Sequence, residues 1–330
     1  MTDLFLGVDA GNTKTIAAVA DRHGNVVGWA RGGLGDIYGV DDPGEAVAAV
    51  LRLVDEAVGS AQDAVPGGRL ASAAFCLAGV DWPEDTALWT EVLTGHLGPD
   101  VRLSVKNDGF ALLRCGDPDG VGVAVSLGTG AAIAGRGPTG TEFAFSFWLQ
   151  HPLGAAGLVD DALHAIFRAH TGLTSGTSLS QAIPEYYEAA SVEDLLHRFT
   201  RRESAEGSHH DKAKAARVVL REAERGDLVA VGIVDQHAER IAAYVEACAN
   251  QVALDEPFAL TLGGSVAADI TLRKAILREL SRQLPHVDVA AQPAEPILGT
   301  ILDALAEGGV PPTPAVRATV LDSPSETLSR

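Results

Sequence analysis

Short apolar runs alternate with amphipathic stretches along most of the chain. Leu4–Val8, Ile16–Ala20 and Val26–Ala30 are apolar runs separated by turns that contain Gly and Asn, which predicts an antiparallel β-meander. In the following stretch, Pro43–Val58, apolar residues recur at spacings of three and four, the period of one helix face. Strand and helix signals continue to alternate after this point. The pattern therefore predicts an α/β protein.

The opening pattern occurs a second time in the middle of the chain. Val121–Leu127 and Ala131–Ala134 are apolar runs joined by the turn Gly128-Thr129-Gly130. A repeated unit of strand, glycine turn and strand indicates a duplicated core with two lobes. We assign residues 1–116 to an N-terminal lobe and residues 117–294 to a C-terminal lobe. Residues 311–330 are rich in Pro, Ser and Thr without an apolar period, so we predict a disordered tail there.

Composition and charge exclude several classes of partner. Hydrophobic residues make up 46% of the 330 positions and charged residues 21%, the balance of a globular protein. The formal net charge of −19 argues against nucleic-acid binding, which requires Lys and Arg. No apolar stretch is long enough to span a membrane, and the N-terminus lacks a basic region. We therefore expect a soluble, cytoplasmic protein that acts on a small molecule. The sequence is compatible with a homodimer and with a monomer.

The first glycine turn carries residues suited to phosphate binding. Asp9 ends the first apolar run, and Gly11, Asn12, Thr13 and Lys14 follow it. Backbone N–H groups in such a turn bind phosphate oxygens, while a threonine hydroxyl and a lysine add a donor and a charge. Asp9 is placed to hold Mg²⁺ beside the same phosphates. A plain hairpin turn explains these residues equally well.

Two further glycine turns extend this hypothesis. Gly128, Thr129 and Gly130 occupy the equivalent place in the second half, so two facing turns would hold a triphosphate between the lobes. Later in the chain, a buried strand ends at Gly263-Gly264, with Ser265 next. This pair would let an adenosine approach closely, and a helix starting there would point its N-terminus at the α-phosphate. The alternative is a simple strand-to-helix turn.

Polar residues also follow two other predicted strands. Asn107 and Asp108 come after the strand Val101–Val105, and Asp81 follows the apolar run Ala71–Ala78. A carboxylate at the Asp108 position can accept the proton of an attacking hydroxyl, the role of a general base in phosphoryl transfer to an alcohol. Asn107 or Asp108 would serve equally well as a helix N-cap. Asp81 either faces the acceptor or forms an ordinary turn.

The order of these motifs resembles a known family. Over about residues 4–308 the chain reads LGVDAGNTKT, LAGVDWPED, VKNDGFAL, SLGTGAAIAG, LTLGGSVA and PAEPILGTILDAL, which is similar to the BadF/BadG/BcrA/BcrD-type ATPases and the related N-acetylglucosamine kinases. The resemblance implies the actin-like, ribonuclease H-like fold of sugar kinases and heat-shock-protein-70, closing over Mg-ATP. It also implies that a C-terminal helix at about 295–308 returns to the first lobe.

The resemblance assigns roles to the same residues. It implies that Asp9 orients Mg²⁺, that the turns at 11–14 and 128–130 contact the phosphates, and that Gly263 and Gly264 flank the adenosine. It implies that Asp108 is the base. The expected activity is a Mg-ATP-dependent kinase of a sugar or amino sugar. The alternatives are a non-catalytic ATP-binding regulator and a kinase of a non-sugar alcohol such as pantothenate.

Three departures from the family concern the turn and the acceptor. Asn12 stands where the family has a second glycine. Ala155 and Ala156 replace both acids of a G-D-E-G-S motif, and Asp36 stands near the place of a sugar-binding asparagine. With Asp81 and Asp108, Asp36 would give the acceptor pocket three carboxylates, which attract a cation in a low-dielectric cleft. We therefore hypothesise that glucosamine, with its free ammonium, is preferred to N-acetylglucosamine.

Overall fold

The computed structural model describes residues 2–201, 212–255, 257–290 and 294–323. Within these ranges the strands form two mixed five-stranded sheets, in the orders β3-β2-β1-β4-β5 and β10-β9-β6-β7-β8. The strands of the first sheet are β1 (Thr2–Ala10), β2 (Thr15–Asp21), β3 (Val26–Gly32), β4 (Gly68–Leu77) and β5 (Arg102–Asn107). Those of the second are β6 (Gly122–Leu127), β7 (Ala131–Arg136), β8 (Glu142–Ala144), β9 (Ala259–Gly263) and β10 (Asp288–Val289).

The register of the first sheet brings three strand ends together. β1 pairs antiparallel with β2 and parallel with β4, and β4 pairs parallel with β5. Ala10 lies opposite Leu77, which lies opposite Asn107. The segments that follow these three residues therefore leave the sheet at one edge. This edge carries the first glycine turn, the Asp81 loop and Asp108.

The second sheet repeats this arrangement. β6 forms an antiparallel hairpin with β7, as β1 does with β2, and pairs parallel with β9. Ser126 lies opposite Gly263 in that parallel pair, so the second glycine turn and the Gly263-Gly264 pair share one edge. The predicted α/β fold with a duplicated core is confirmed by this topology.

Helices cover both sheets. They are α1 (Pro43–Ala64), α2 (Pro83–Leu97), α3 (Leu113–Gly116), α4 (Gly154–His170), α5 (Leu179–Tyr186), α6 (Val192–Thr200), α7 (Ala216–Glu224), α8 (Leu228–Gln251), α9 (Ile270–Gln283), α10 (Pro296–Glu307) and α11 (Pro314–Leu321). Short 3₁₀ helices occupy 108–112 and 146–148. The helix predicted from Pro43 extends six residues further than expected, because Ala61 continues its buried face. Among the described residues, no helix has both the length and the apolar character needed to cross a membrane.

The C-terminal helix α10 packs closely against the first sheet. A Cβ on Gly7 of β1 would lie 2.7 Å from the backbone nitrogen of Ile301, so the strand needs glycine at this contact. α10 also contributes to a core cluster that includes Ala18 of β2 and Ala124 of β6. Helix α10 therefore lies where the two sheets meet.

The prediction of a disordered tail is wrong for residues 314–321, which form α11. Thr313 caps this helix by accepting a hydrogen bond from the Val316 N–H at 3.4 Å, and proline stands at its first turn. Val320 is fully buried and lies against the β2–β3 turn at Gly24. Too few apolar residues face the core here to give a helical period. Residues 324–330 of the predicted tail lie outside the described ranges.

Candidate active site

The first glycine turn connects β1 and β2 and is held by its own backbone. The Gly11 N–H donates to the Lys14 carbonyl at 2.9 Å, and the Gly35 N–H donates to the Gly11 carbonyl at 3.1 Å. The Lys14 ammonium lies 3.6 Å from the carboxylate of Glu295, directly before α10. Both side chains are about two-fifths exposed, so this ion pair is open to solvent and contributes little stability. Lys14 therefore remains able to bind another anion.

The second glycine turn connects β6 and β7 and rests on the start of α4. The Ala155 N–H donates to the Gly128 carbonyl at 3.0 Å, and the Ala156 N–H donates to the Thr129 carbonyl at 2.9 Å. Gly154 has a φ of 72°, and a Cβ there would lie 2.2 Å from the Gly130 carbonyl oxygen. Only glycine fits this contact. The two alanines that replace family acids thus position the turn through their backbones.

The two turns meet between the sheets. The Thr13 hydroxyl lies 3.1 Å from the Thr129 hydroxyl, although the residues are 116 positions apart. A pair of turns with backbone N–H groups and hydroxyls forms a concave site of the kind that binds phosphate. The structure therefore brings together the two turns that the sequence singled out.

The third glycine turn follows β9, and its geometry differs from the prediction. Gly264 has a φ of 86°, and a Cβ there would lie 2.4 Å from the Leu127 carbonyl oxygen at the end of β6. The expectation that a helix starts at the glycine pair is wrong. Ser265 lies in a turn, the Val266 N–H donates to the Leu127 carbonyl at 3.0 Å, and α9 begins only at Ile270. The hydrogen bond from Val266 to Leu127 ties the segment after β9 to the end of β6, and the helix begins only after its N-cap residue Asp269.

Asp9 is a buried carboxylate at the end of β1. Its side chain has 9% relative exposure, and burial raises its pKa to about 7. The Lys14 ammonium opposes this shift and the Glu295 carboxylate adds to it. A desolvated carboxylate of this kind gains stability from a nearby cation.

Asp108 lies close to Asp9, directly after β5. Burial raises its pKa to about 7, and the negative charges of Asp9, Asp81 and Asp36 add to the shift in that order. The capping role falls to Asn107, whose side chain accepts a hydrogen bond from the Gly109 N–H at 2.9 Å. Asp108 is therefore not needed as the helix N-cap, a role that the sequence allowed for either residue. Half of such groups are ionised near neutral pH.

Asp36 and Asp81 belong to the same acidic group. Asp36 accepts a hydrogen bond from the Tyr38 N–H at 2.9 Å and another from the Asn12 side chain, so Asn12 connects the first turn with this acid. The Asn107 amide donates to Asp81 at 2.8 Å. Burial is the main cause that raises the pKa of both acids. All four predicted acids therefore lie at one edge of the first sheet.

Sequence reasoning missed two residues of this group. The Asp85 carboxylate accepts hydrogen bonds from the N–H groups of Asp81 and Trp82 at 3.1 and 2.8 Å, and so fixes the loop. The order Trp-Pro-Glu-Asp is a helix-start signal that could have identified it. Ser146, which follows β8 of the second sheet, donates to Asp81 at 2.5 Å. Nothing in the sequence around Ser146 predicts its hydrogen bond to Asp81.

Comparisons with known proteins agree with the family resemblance of the ordered motifs. A model of the BadF/BadG/BcrA/BcrD ATPase family matches residues 6–306. The N-acetyl-D-glucosamine kinase of Dictyostelium discoideum is 23% identical over 316 residues, which cover 92% of this chain and 98% of that protein.

Solved structures show the same fold. A Chromobacterium violaceum protein assigned as an N-acetylglucosamine kinase has a TM-score of 0.69 and 22% identity, covering 91% of this chain and 98% of that one. A ROK family glucokinase from Streptomyces griseus, in complex with glucose and AMPPNP, has a TM-score of 0.56 and 19% identity, with the same coverage. The match to the family model spans nearly the whole described chain. The protein belongs to the BadF/BadG/BcrA/BcrD ATPase family.

Proposed function

We propose that the protein is a Mg-ATP-dependent kinase that transfers the γ-phosphoryl group of ATP to a hydroxyl of a sugar or amino sugar. The observation that carries this proposal is the meeting of the two turns at Thr13 and Thr129 beside the buried carboxylate of Asp9 and the half-buried carboxylate of Asp108. The relatives named N-acetyl-D-glucosamine kinase and glucokinase support it.

The nucleotide would lie across the three glycine turns. The turns at 11–14 and 128–130 offer backbone N–H groups and two threonine hydroxyls to the β- and γ-phosphates. Lys14 would exchange its solvent-exposed bond to Glu295 for a phosphate oxygen. Gly263, Gly264 and Ser265 would flank the adenosine, because they follow β9 at the same edge of the second sheet as the turn at 128–130. Such local donors offset the overall charge of −19, which repels an anionic ligand.

Asp9 fits a role in holding Mg²⁺. A buried carboxylate whose pKa is raised to about 7 despite the Lys14 ammonium is a hard oxygen ligand whose charge is only partly compensated. In the described part of the chain, no group of three or more His, Cys, Asp or Glu side chains is arranged to hold a metal. The ion would therefore share Asp9 with phosphate oxygens and water. Mg²⁺ bound in this way neutralises negative charge on the phosphates.

Asp108 would act as the general base. Its carboxylate accepts the hydroxyl proton of the acceptor while the hydroxyl oxygen bonds to the γ-phosphorus. The bond from that phosphorus to the bridging oxygen breaks, and ADP leaves with the electron pair. A pKa of about 7 suits this role, because the group is then ionised often enough to accept a proton and basic enough to hold it.

The acceptor would bind next to Asp36, Asp81 and Asn107. These side chains offer carboxylate and amide groups to sugar hydroxyls, and a cationic amino group would lower the cost of burying the two acids. We infer that glucosamine is preferred to N-acetylglucosamine. Two relatives are named for N-acetylglucosamine, which has the same amino-sugar ring as glucosamine but carries no charge.

The test is an ADP-release screen over glucosamine, N-acetylglucosamine, glucose and pantothenate, each with and without Mg²⁺. A rise of ADP release with one sugar supports the proposal. ATP binding without turnover under every acceptor would make the protein a nucleotide-binding regulator instead. Stimulation by pantothenate alone would place the acceptor outside the sugars.

A further inference from the structure

Exposed aromatic rings cluster beside the acidic group that contains Asp36 and Asp81. Tyr38, Trp82 and Phe147 have 53%, 44% and 53% of their surface exposed. The Phe147 ring lies edge-on to Tyr38, with 5.7 Å between centroids, and nearly parallel to Trp82, with 6.3 Å between centroids. We name these three residues the aromatic collar. Exposed apolar side chains that form one continuous patch indicate a binding site, whereas single exposed apolar residues are common on any protein surface.

Tyr38 connects the collar to the acceptor residues on one side. Its N–H donates to Asp36 at 2.9 Å, and its hydroxyl donates to Asp85 at 3.2 Å. Both acids are buried, whereas the Tyr38 ring is exposed. The ring is therefore held at both ends while its surface stays available. A ring fixed in this way loses little rotational freedom when it binds a ligand.

Trp82 and Phe147 connect the collar to Asp81. Trp82 is the next residue after Asp81, and Phe147 is the next residue after Ser146, whose hydroxyl donates to Asp81 at 2.5 Å. Ser146 has a φ of 42°, a left-handed conformation that costs energy for a residue other than glycine. This strained residue turns the chain so that Phe147 stacks on Trp82. The Lys106–Glu142 ion pair joins the same two parts of the chain nearby.

The collar therefore extends outward from the acidic group and is built from segments that follow β3 and β4 of the first sheet and β8 of the second. Three rings cover far less than the roughly 800 Å² that each partner buries in a stable protein interface. Their size suits a single small ring. Pyranose rings present a C–H face that packs on aromatic rings, while their hydroxyls bond to polar groups at the edge.

We propose that the aromatic collar is a second saccharide subsite, which binds the ring linked to the one that is phosphorylated. This inference rests on the proposed function, because it takes the phosphorylated ring to lie at Asp108. The preferred acceptor is then a disaccharide or another glycoside of an amino sugar, and not the free monosaccharide.

Calorimetric titration without ATP tests the subsite. The ligands are chitobiose as the free diamine, its diacetylated form and cellobiose, each compared with its monosaccharide unit. We expect the wild-type protein to bind one disaccharide about tenfold more tightly than its monosaccharide, the scale of one or two aromatic contacts. Phe147→Ala and Trp82→Ala remove that advantage and change monosaccharide affinity less than about threefold. Tyr186→Ala, at an aromatic residue with 48% exposure on α5, changes neither affinity.

Three outcomes overturn the subsite: equal affinity for both ligand sizes, an equal loss of both affinities in Phe147→Ala, and no saccharide binding. If Phe147→Ala unfolds, Phe147→Leu keeps an apolar side chain and must still lose the disaccharide advantage. Conversion of a dimer to a monomer by Phe147→Ala would reassign the collar to a protein contact and also overturn it. A disaccharide that binds but is never phosphorylated overturns the proposed kinase function and leaves the subsite intact.

Discussion

Replacement of Asp108 by asparagine tests the proposed transfer chemistry most directly. Asparagine keeps the shape of the side chain but cannot accept the hydroxyl proton. We expect kcat to fall by about two to four orders of magnitude, the contribution of a general base. The KM for ATP should change little, because the proposed phosphate contacts come from the two glycine turns and not from Asp108.

The pH dependence gives this prediction a second, independent measure. The pKa of Asp108 is raised to about 7, so one unit below that value only about a tenth of the carboxylates are ionised. The kcat/KM of the wild-type protein for its acceptor should therefore fall about tenfold per pH unit on the acid side of neutrality. This acid limb should become shallower in the variant, where only Asp9, whose pKa is also raised to about 7, still titrates in this range. The neighbouring exposed residue Asp119 supplies the control, since Asp119→Asn should keep both the rate and the limb.

Stability moves in the opposite direction to activity in this variant. The pKa of Asp108 is 3.8 in the unfolded chain and about 7 in the folded one. The folded state therefore binds more protons in this interval, and its stability falls as pH rises from about 4 to about 7. Asp108→Asn removes this loss, so its Tm should exceed that of the wild type at neutral pH and approach it as pH falls towards 4. A variant that keeps more than about a third of the wild-type kcat, or a flat wild-type profile below pH 7, would refute the role of Asp108.

Three further predictions concern the metal, the second turn and the acceptor. Asp9→Ala should abolish Mg²⁺-dependent turnover, since a buried triphosphate then lacks its shared cation; recovery of full activity at modest Mg²⁺ in a titration would place Asp9 outside the site. Gly154→Ala should destabilise the protein by about 2 kcal/mol or more and raise the KM for ATP, because it strains a positive φ and forces a Cβ into the Gly130 carbonyl. Gly176→Ala, with open space around its Cβ position, should do neither, and equal Tm values for the two variants would contradict this reasoning. Asp36→Asn should lower kcat/KM for glucosamine relative to N-acetylglucosamine, and an unchanged ratio would show that charge does not select the acceptor.

The sequence alone determined the architecture and the places of the strands, whereas their ends differ by a few residues from the predicted ones. The apolar pattern within each short segment is enough to indicate a buried strand, so β1, β2 and β3 appear where the pattern predicted them. The repeated turn revealed the duplication because each half needs the same hairpin. The ordered motifs predicted the family, and the match over residues 6–306 confirms that prediction. The roles of the individual site residues stay predictions.

Tertiary structure decided what each polar residue near the site does. Asn107 and Asp108 were equivalent as helix caps in the sequence, and only the folded backbone gives the cap to Asn107. Ala155 and Ala156 stood out in the sequence only as replacements of two family acids, yet their N–H groups hold the second turn. Helix α11 was missed because its stability depends on a buried contact with a distant turn.

The chemistry of the acids also depends on the fold. A free aspartate is ionised well below neutral pH, and nothing in the sequence around Asp9 or Asp108 changes that. Only the packing of β1, β4 and β5 removes these carboxylates from water, which raises both pKa values to about 7, and the charges of nearby acids add to the shift of Asp108. Local sequence fixes which residues stand at the strand ends, whereas desolvation and charge repulsion arise between segments far apart in the chain.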